Sequence, residues 1–199
     1  MIDPLQGPRD RAAPAPGPIA TAWCVVTGPP SAGKTSVLDA LAALGHRVIG
    51  ETARAHLETL GPSAAEIAAD TALQAELQHA IARRQLVVEN GLHPTHPLFL
   101  DRALPDSLAY FRRLGIPDGD LMQRASTYRY QNVFYLEGLP LAHDGLRFED
   151  DGEARVIGEQ IIAAYVSLGY APIRIPAFTD LPRSQSIHRR VMVMLAHFA

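Results

Sequence analysis

Trp23-Cys24-Val25-Val26-Thr27-Gly28-Pro29-Pro30-Ser31-Ala32-Gly33-Lys34-Thr35 is an apolar run that ends at a glycine and passes into a G-x-x-x-x-G-K-[ST] pattern. The apolar part has the length and composition of a buried strand. Gly28 and Gly33 can adopt backbone angles closed to other residues, so successive N–H groups can turn inward toward an anion. Val37, Leu38, Leu41 and Leu44 then recur at helical spacing until Gly45, which predicts a helix over Lys34–Leu44. Its positive N-terminal end would face the same anion. Strand, glycine-bearing loop and helix in this order form a phosphate cradle. Lys34 supplies a compact charge for β- and γ-phosphates, and Thr35 a hydroxyl for Mg2+. The nucleotide-binding residues expected from this pattern are Gly28, Pro29, Pro30, Ser31, Ala32, Gly33, Lys34, Thr35 and Ser36. The expected ligands are ATP or GTP with Mg2+.

Further along the chain, short apolar runs alternate with helical patterns. Strands are expected at Arg47–Gly50, Leu98–Asp101, Asn132–Glu137 and Pro172–Ile175. Helices are expected over 52–61, 63–90, 106–114, 121–128, 153–168 and 184–198. That alternation points to an α/β fold, a three-layer α/β/α sandwich around a five-stranded parallel sheet. Residues 1–20, with Pro4, Pro8, Pro14, Pro16 and Pro18, read as a flexible tail, and 21–199 as one nucleotide-binding domain.

Asp101 closes Leu98-Phe99-Leu100, the pattern of an acid that ends a buried strand and holds magnesium; the plainer reading is a turn acid. Ligands of open α/β sheets bind at that edge. Arg102 follows it and could take a phosphate of an acceptor. Glu51 ends the second strand, with Arg54 one helical turn on. Glu51 could accept a hydroxyl proton and Arg54 hold an anion, or the two are a helix-start acid and a solvated arginine. Arg147, in the polar loop before the long helix, could close over a transferring phosphate. Asp118-Gly119-Asp120 reads as a turn, and His93 and His96 as loop residues.

Composition narrows the field. The chain has 199 residues, 47% apolar and 20% charged, with net charge −3. That is enough apolar sequence for a sizeable core, without the basic face expected of a duplex nucleic-acid binder. Cys24 is the only cysteine, which excludes an intrachain disulfide and a cysteine-rich zinc site. No apolar run reaches the roughly 20 residues that span a bilayer, and no signal peptide is expected. The cytoplasm is the expected compartment. Of 18 basic residues only Lys34 is lysine. It occupies the one position where a slim ammonium serves and a planar guanidinium is a poor substitute. With no second lysine, the N-K-x-D motif by which switch GTPases read guanine cannot exist.

The pieces Gly28–Thr35, Glu51-Thr52-Ala53-Arg54, Phe99-Leu100-Asp101-Arg102, Asp106-Ser107-Leu108-Ala109-Tyr110 and Arg147-Phe148-Glu149-Asp150 together resemble the predicted-ATPase group of P-loop proteins. That group is related to the AAA domain of the NadR-like ribosylnicotinamide kinases. The resemblance covers roughly residues 22–195 and implies the P-loop kinase fold, a nucleoside triphosphate and magnesium. It names no acceptor. No stretch corresponds to the adenylyltransferase domain that accompanies the kinase in NadR.

Three functions fit these observations. In a small-molecule kinase, Lys34, Thr35 and Asp101 with Mg2+ would hold the donor, while Glu51, Arg54 and Arg102 would bind a nucleoside-like acceptor and Arg147 would close the site. A nucleotide-dependent switch with slow hydrolysis and a protein or lipid partner is the alternative. A hexameric mechanical ATPase fits least, because only about one helix follows the fifth strand.

Overall fold

β2 (Trp23–Thr27) is buried along its whole length, which a strand achieves only when both faces of its sheet are covered. The computed structural model describes residues 17–50, 64–139 and 151–198. Within them, β2 pairs in parallel with β4 (Leu98–Asp101) on one side and β6 (Asn132–Leu136) on the other. β3 (Val48–Ile49) extends the sheet beyond β4, and β7 (Ile173–Ile175) beyond β6. The order is β3-β4-β2-β6-β7 and every pairing is parallel, as the alternating pattern predicts.

Side chains alternate across the sheet with the strand period of two. Trp23, Val25, Leu98, Leu100, Val133 and Tyr135 face one layer, where they meet residues of α4 (Leu104–Arg113) and α6 (Asp151–Ser167) such as Leu108 and Ile161. Cys24, Val26, Phe99, Phe134 and Leu136 face the other, against α1 (Lys34–Ala43) and α7 (Arg183–Leu195) through Val37, Leu41, Val191 and Met194. Burial pushes the Cys24 thiol up to about 11, so it packs as a small apolar residue.

Several boundaries differ from the sequence expectation. The helical stretch 63–90 is two helices, α2 (Ala64–Ala69) and α3 (Thr71–Asn90). They break at Asp70, whose extended backbone and carboxylate cap α3 by accepting from the Ala72 and Leu73 N–H groups. The helix expected over 121–128 is α5 (Gly119–Ala125), and Tyr128–Arg129 is a short strand, β5. β5 pairs in parallel with β1 (Ile19–Ala20), inside the segment read as tail. Ile19 N–H donates to Thr127 O at 2.8 Å and Thr21 N–H to Arg129 O at 2.9 Å. Two residues per strand leave too short a pattern for periodicity to detect.

Candidate functional site

The carboxyl ends of β2, β4, β6 and β7 lie along one edge, where an open parallel sheet offers its ligand crevice. Among the described residues, the non-glycine positions with positive φ are Ser31 (60°), Arg102 (66°) and Phe178 (49°). All three fall in loops that leave this edge. Such conformations persist where surrounding structure over-determines them, and they gather at functional sites.

The loop after β2 is the expected cradle. Gly28 has φ 142°, and a Cβ there would run into the Leu136 carbonyl oxygen of β6, so only glycine lets the chain leave the sheet at this point. Gly33 is left-handed (φ 80°, ψ 20°) and precedes α1, whose N-terminus no side chain caps. Its first-turn N–H groups are thereby directed at the loop's concavity. Lys34 is 8% exposed, and its Nζ donates to Gly28 O (3.2 Å) and Pro29 O (2.8 Å). Both of these acceptors are carbonyls of the loop itself, and an anionic oxygen is a stronger acceptor for an ammonium.

Asp101 ends β4 in register with Val26 of β2 and is 6% exposed. The strand ends on this acid, as its sequence predicts. A Thr35 hydroxyl and an Asp101 carboxylate are hard oxygen donors, the chemistry that Mg2+ takes. Among the described residues, no group of three or more His, Cys, Asp or Glu could hold a metal unaided. A magnesium ion that shares its shell with phosphates and water needs only one or two protein oxygens, so the residues present fit it.

Arg102 is not simply presented to an acceptor. Its Nη1 donates to Asp106 Oδ1 at 2.9 Å. Asp106, in the first turn of α4, also accepts from Thr27 Oγ1 (2.5 Å), Tyr165 OH (2.6 Å) and Ala103 N–H (3.2 Å). Thr27 immediately precedes the cradle, so one buried carboxylate ties β2, the turn after β4, and α6 together. On the far side of that turn, Glu89 of α3 accepts from Leu104 N–H at 2.8 Å, Gln85 Nε2 at 3.0 Å and Tyr130 OH at 2.8 Å. Burial raises the Glu89 carboxyl above its ordinary value, against the pull of these three hydrogen bonds. The sequence marks Asp106 as a helix start and as part of one piece of the resemblance, not as an acceptor for Thr27 and Tyr165, and it does not single out Glu89. A carboxylate that follows an apolar strand and a turn is the one signal that could have marked Asp106.

Beside the cradle is a cavity of about 320 Å³, lined by Gly33, Ser36, Phe178, Arg183, Ser186 and Arg190 among others. Arg183, Ser186, Ile187 and Arg190 stand at helical spacing on the α7 face that borders it. Ser186 Oγ donates to Ala177 O at 2.6 Å, and Arg183 Nη2 reaches Ser36 Oγ at 3.4 Å. Arg190, 2% exposed, donates to Ala32 O at 2.6 Å, Glu137 O at 3.0 Å and Pro176 O at 2.8 Å. Glu51, Arg54 and Arg147 lie outside the described residues. His93 and His96 stack on one another with ring centroids 4.5 Å apart and belong to the loop before β4. No helix among the described residues is long and apolar enough to cross a membrane.

A family model described as an AAA domain matches residues 23–183. Among solved structures, NadR protein in complex with NR aligns with a TM-score of 0.65 at 15% identity, covering 90% of this chain and 51% of that one. NadR protein in complex with NAD and AMP-PNP aligns at 0.62 and 15% identity, covering 89% and 49%. Deoxyadenosine kinase from M. mycoides, with products dCMP and a flexible dCDP bound, aligns at 0.57 and 12% identity, covering 89% and 100%. The chain thus spans about half the length of the NadR chains and the full length of the deoxyadenosine kinase. Identities this low establish a shared fold, that of P-loop kinase-like proteins. None of the curated proteins matches this sequence significantly.

Proposed function

This chain belongs to the AAA-domain family, whose model spans residues 23–183, and on that footing we propose that it is a magnesium-dependent kinase that transfers the γ-phosphoryl group of ATP to a hydroxyl of a small, nucleoside-like acceptor. The observation that carries this reading is the convergence on one sheet edge of the Gly28–Ser36 cradle, buried Asp101 and the cavity beside Gly33 and Ser36. Structures of the same fold hold NR, AMP-PNP, or the products dCMP and dCDP, which supports a nucleotide donor and a nucleoside acceptor.

In this reading, backbone N–H groups of the cradle and the swinging Lys34 ammonium hold the β- and γ-phosphates. The cavity takes the base and ribose, with the Phe178 ring as a stacking platform. Thr35 and Asp101 would hold magnesium, which would neutralise phosphate charge. Glu51 accepts the acceptor's hydroxyl proton. The alkoxide oxygen forms a bond to the γ-phosphorus as the bond to the β,γ-bridging oxygen breaks, and ADP leaves. Arg147 closes over the transferring group, and Arg54 and Arg102 orient the acceptor. Catalysis is then positioning and charge stabilisation.

The test is ADP release from ATP across a panel of nucleosides and other hydroxyl-bearing metabolites. A stimulated rate with one acceptor, and the appearance of its phosphate ester, is the expected result. Hydrolysis indifferent to every acceptor would replace the kinase by the switch.

A further inference from the structure

The cradle is short of donors. Pro29 and Pro30 have no N–H, and the Ala32 N–H turns back to Pro29 O at 3.4 Å. Phosphate binding therefore falls more heavily on the amides from Gly33 onward. The Ala32–Gly33 peptide is held by Arg190. Because the peptide unit is planar and trans, the Ala32 carbonyl and the Gly33 N–H point in opposite directions. Arg190 Nη1 holds the Ala32 oxygen at 2.6 Å. Its Nη2 and Nε are anchored on Glu137 O just past β6 and Pro176 O just past β7. The loop peptide is thereby referenced to the rigid sheet. A Cβ on Gly33 would come within 3.4 Å of Arg190 Nη1, so the guanidinium packs directly against this glycine. Burial pulls the Arg190 pKa down from its ordinary value, and arginine nevertheless stays charged. A charged donor on the carbonyl polarises the peptide and strengthens its N–H as a donor.

We infer that Arg190 is a positioning residue for phosphate binding: it turns the Ala32 carbonyl outward and so aims the Gly33 N–H at the phosphate chain. The inference rests on the reading of Gly28–Ser36 as a nucleotide cradle. It predicts that Arg190 acts on the phosphates, although its helix also borders the cavity assigned to the base.

Calorimetry with ATP and with inorganic tripolyphosphate, on wild type, Arg190→Lys, Arg190→Gln and Lys34→Ala, separates the possibilities. Loss of a charged hydrogen bond weakens binding about 10- to 100-fold. Both Arg190 variants should lose that much for both ligands, with the ratio of the two affinities unchanged. In 1H–15N spectra, the wild-type Gly33 amide should move strongly downfield when ADP saturates the site, and Arg190→Lys should lose that shift. A folded Arg190→Lys with wild-type affinities overturns the inference. So does a loss confined to ATP, which would make Arg190 a base-cavity residue. If neither variant folds, the wild-type spectrum decides, and a Gly33 amide unmoved by ADP overturns the inference. Wild type that binds neither ligand, or Lys34→Ala that binds both as wild type does, instead removes the underlying nucleotide reading.

Discussion

Asp106 shows how much one carboxylate can organise. It receives Thr27, Arg102, Tyr165 and the Ala103 amide, and its partners come from residues up to 79 positions away. Replacing it by alanine removes the carboxylate that a mostly buried guanidinium and two hydroxyls share. Removing one member of a buried ion pair costs about 3–5 kcal/mol, so Asp106→Ala should lower unfolding free energy by that order in urea titrations. Asp101 lies in register with Val26 of β2, which leads into the cradle. If its carboxylate serves the magnesium of the transition state, Asp101→Asn should reduce turnover by a larger factor than it weakens ATP binding, as steady-state kinetics and calorimetry can compare. The cradle residues were readable from sequence because their partners are neighbours in the chain. Asp106, Glu89 and Arg190 were not, since a hydrogen bond between residues 190 and 32 has a sequence separation of 158 and leaves no local pattern.

Secondary elements carry the strain and the buried charge of the edge. α3 delivers Glu89 beneath the turn that follows β4, where it is 1% exposed and its carboxyl is raised above the ordinary 4.5. A raised folded-state value means that the folded chain binds the proton more tightly than the unfolded chain. The contribution to stability is present below the unfolded value and is lost as pH rises through the raised one. Glu89→Gln cannot ionise and keeps most of the hydrogen bonds. Relative to wild type, it should therefore gain stability as pH rises above about 4.5; a pH-independent difference in urea midpoints would refute this. The loop after β7 holds Phe178 in the left-handed region, where the residue lines the cavity. Base–aromatic stacking is worth about 1–3 kcal/mol. Phe178→Ala should weaken ATP binding about 5- to 100-fold and leave tripolyphosphate binding unchanged, the reverse of a defect in the cradle.

At the level of the molecule, a ligand that binds only the folded chain must stabilise it. ATP with Mg2+ at 100 times its dissociation constant adds about 2.7 kcal/mol, which for a chain of this size raises the melting temperature by about 5–10 °C. Lys34→Ala should melt at the same temperature with and without ATP, since the variant lacks the ammonium that would meet the β- and γ-phosphates. Thermal scans with and without nucleotide measure both.

The apolar run 23–27, its glycine and the lysine after the second glycine specified strand, cradle and helix without help, because strand burial, φ freedom and helix periodicity are local properties. The alternation of strands and helices likewise announced a parallel sheet. Strand order was another matter: β4 inserts between β2 and β3, a choice made by packing two helical layers on one sheet and not by any neighbouring residue. The same packing brought α7 against the cradle, put Arg190 on the Ala32 carbonyl, and drew Thr27 and Tyr165 to Asp106. Those contacts join segments far apart in sequence, and only the folded chain brings them within hydrogen-bonding distance.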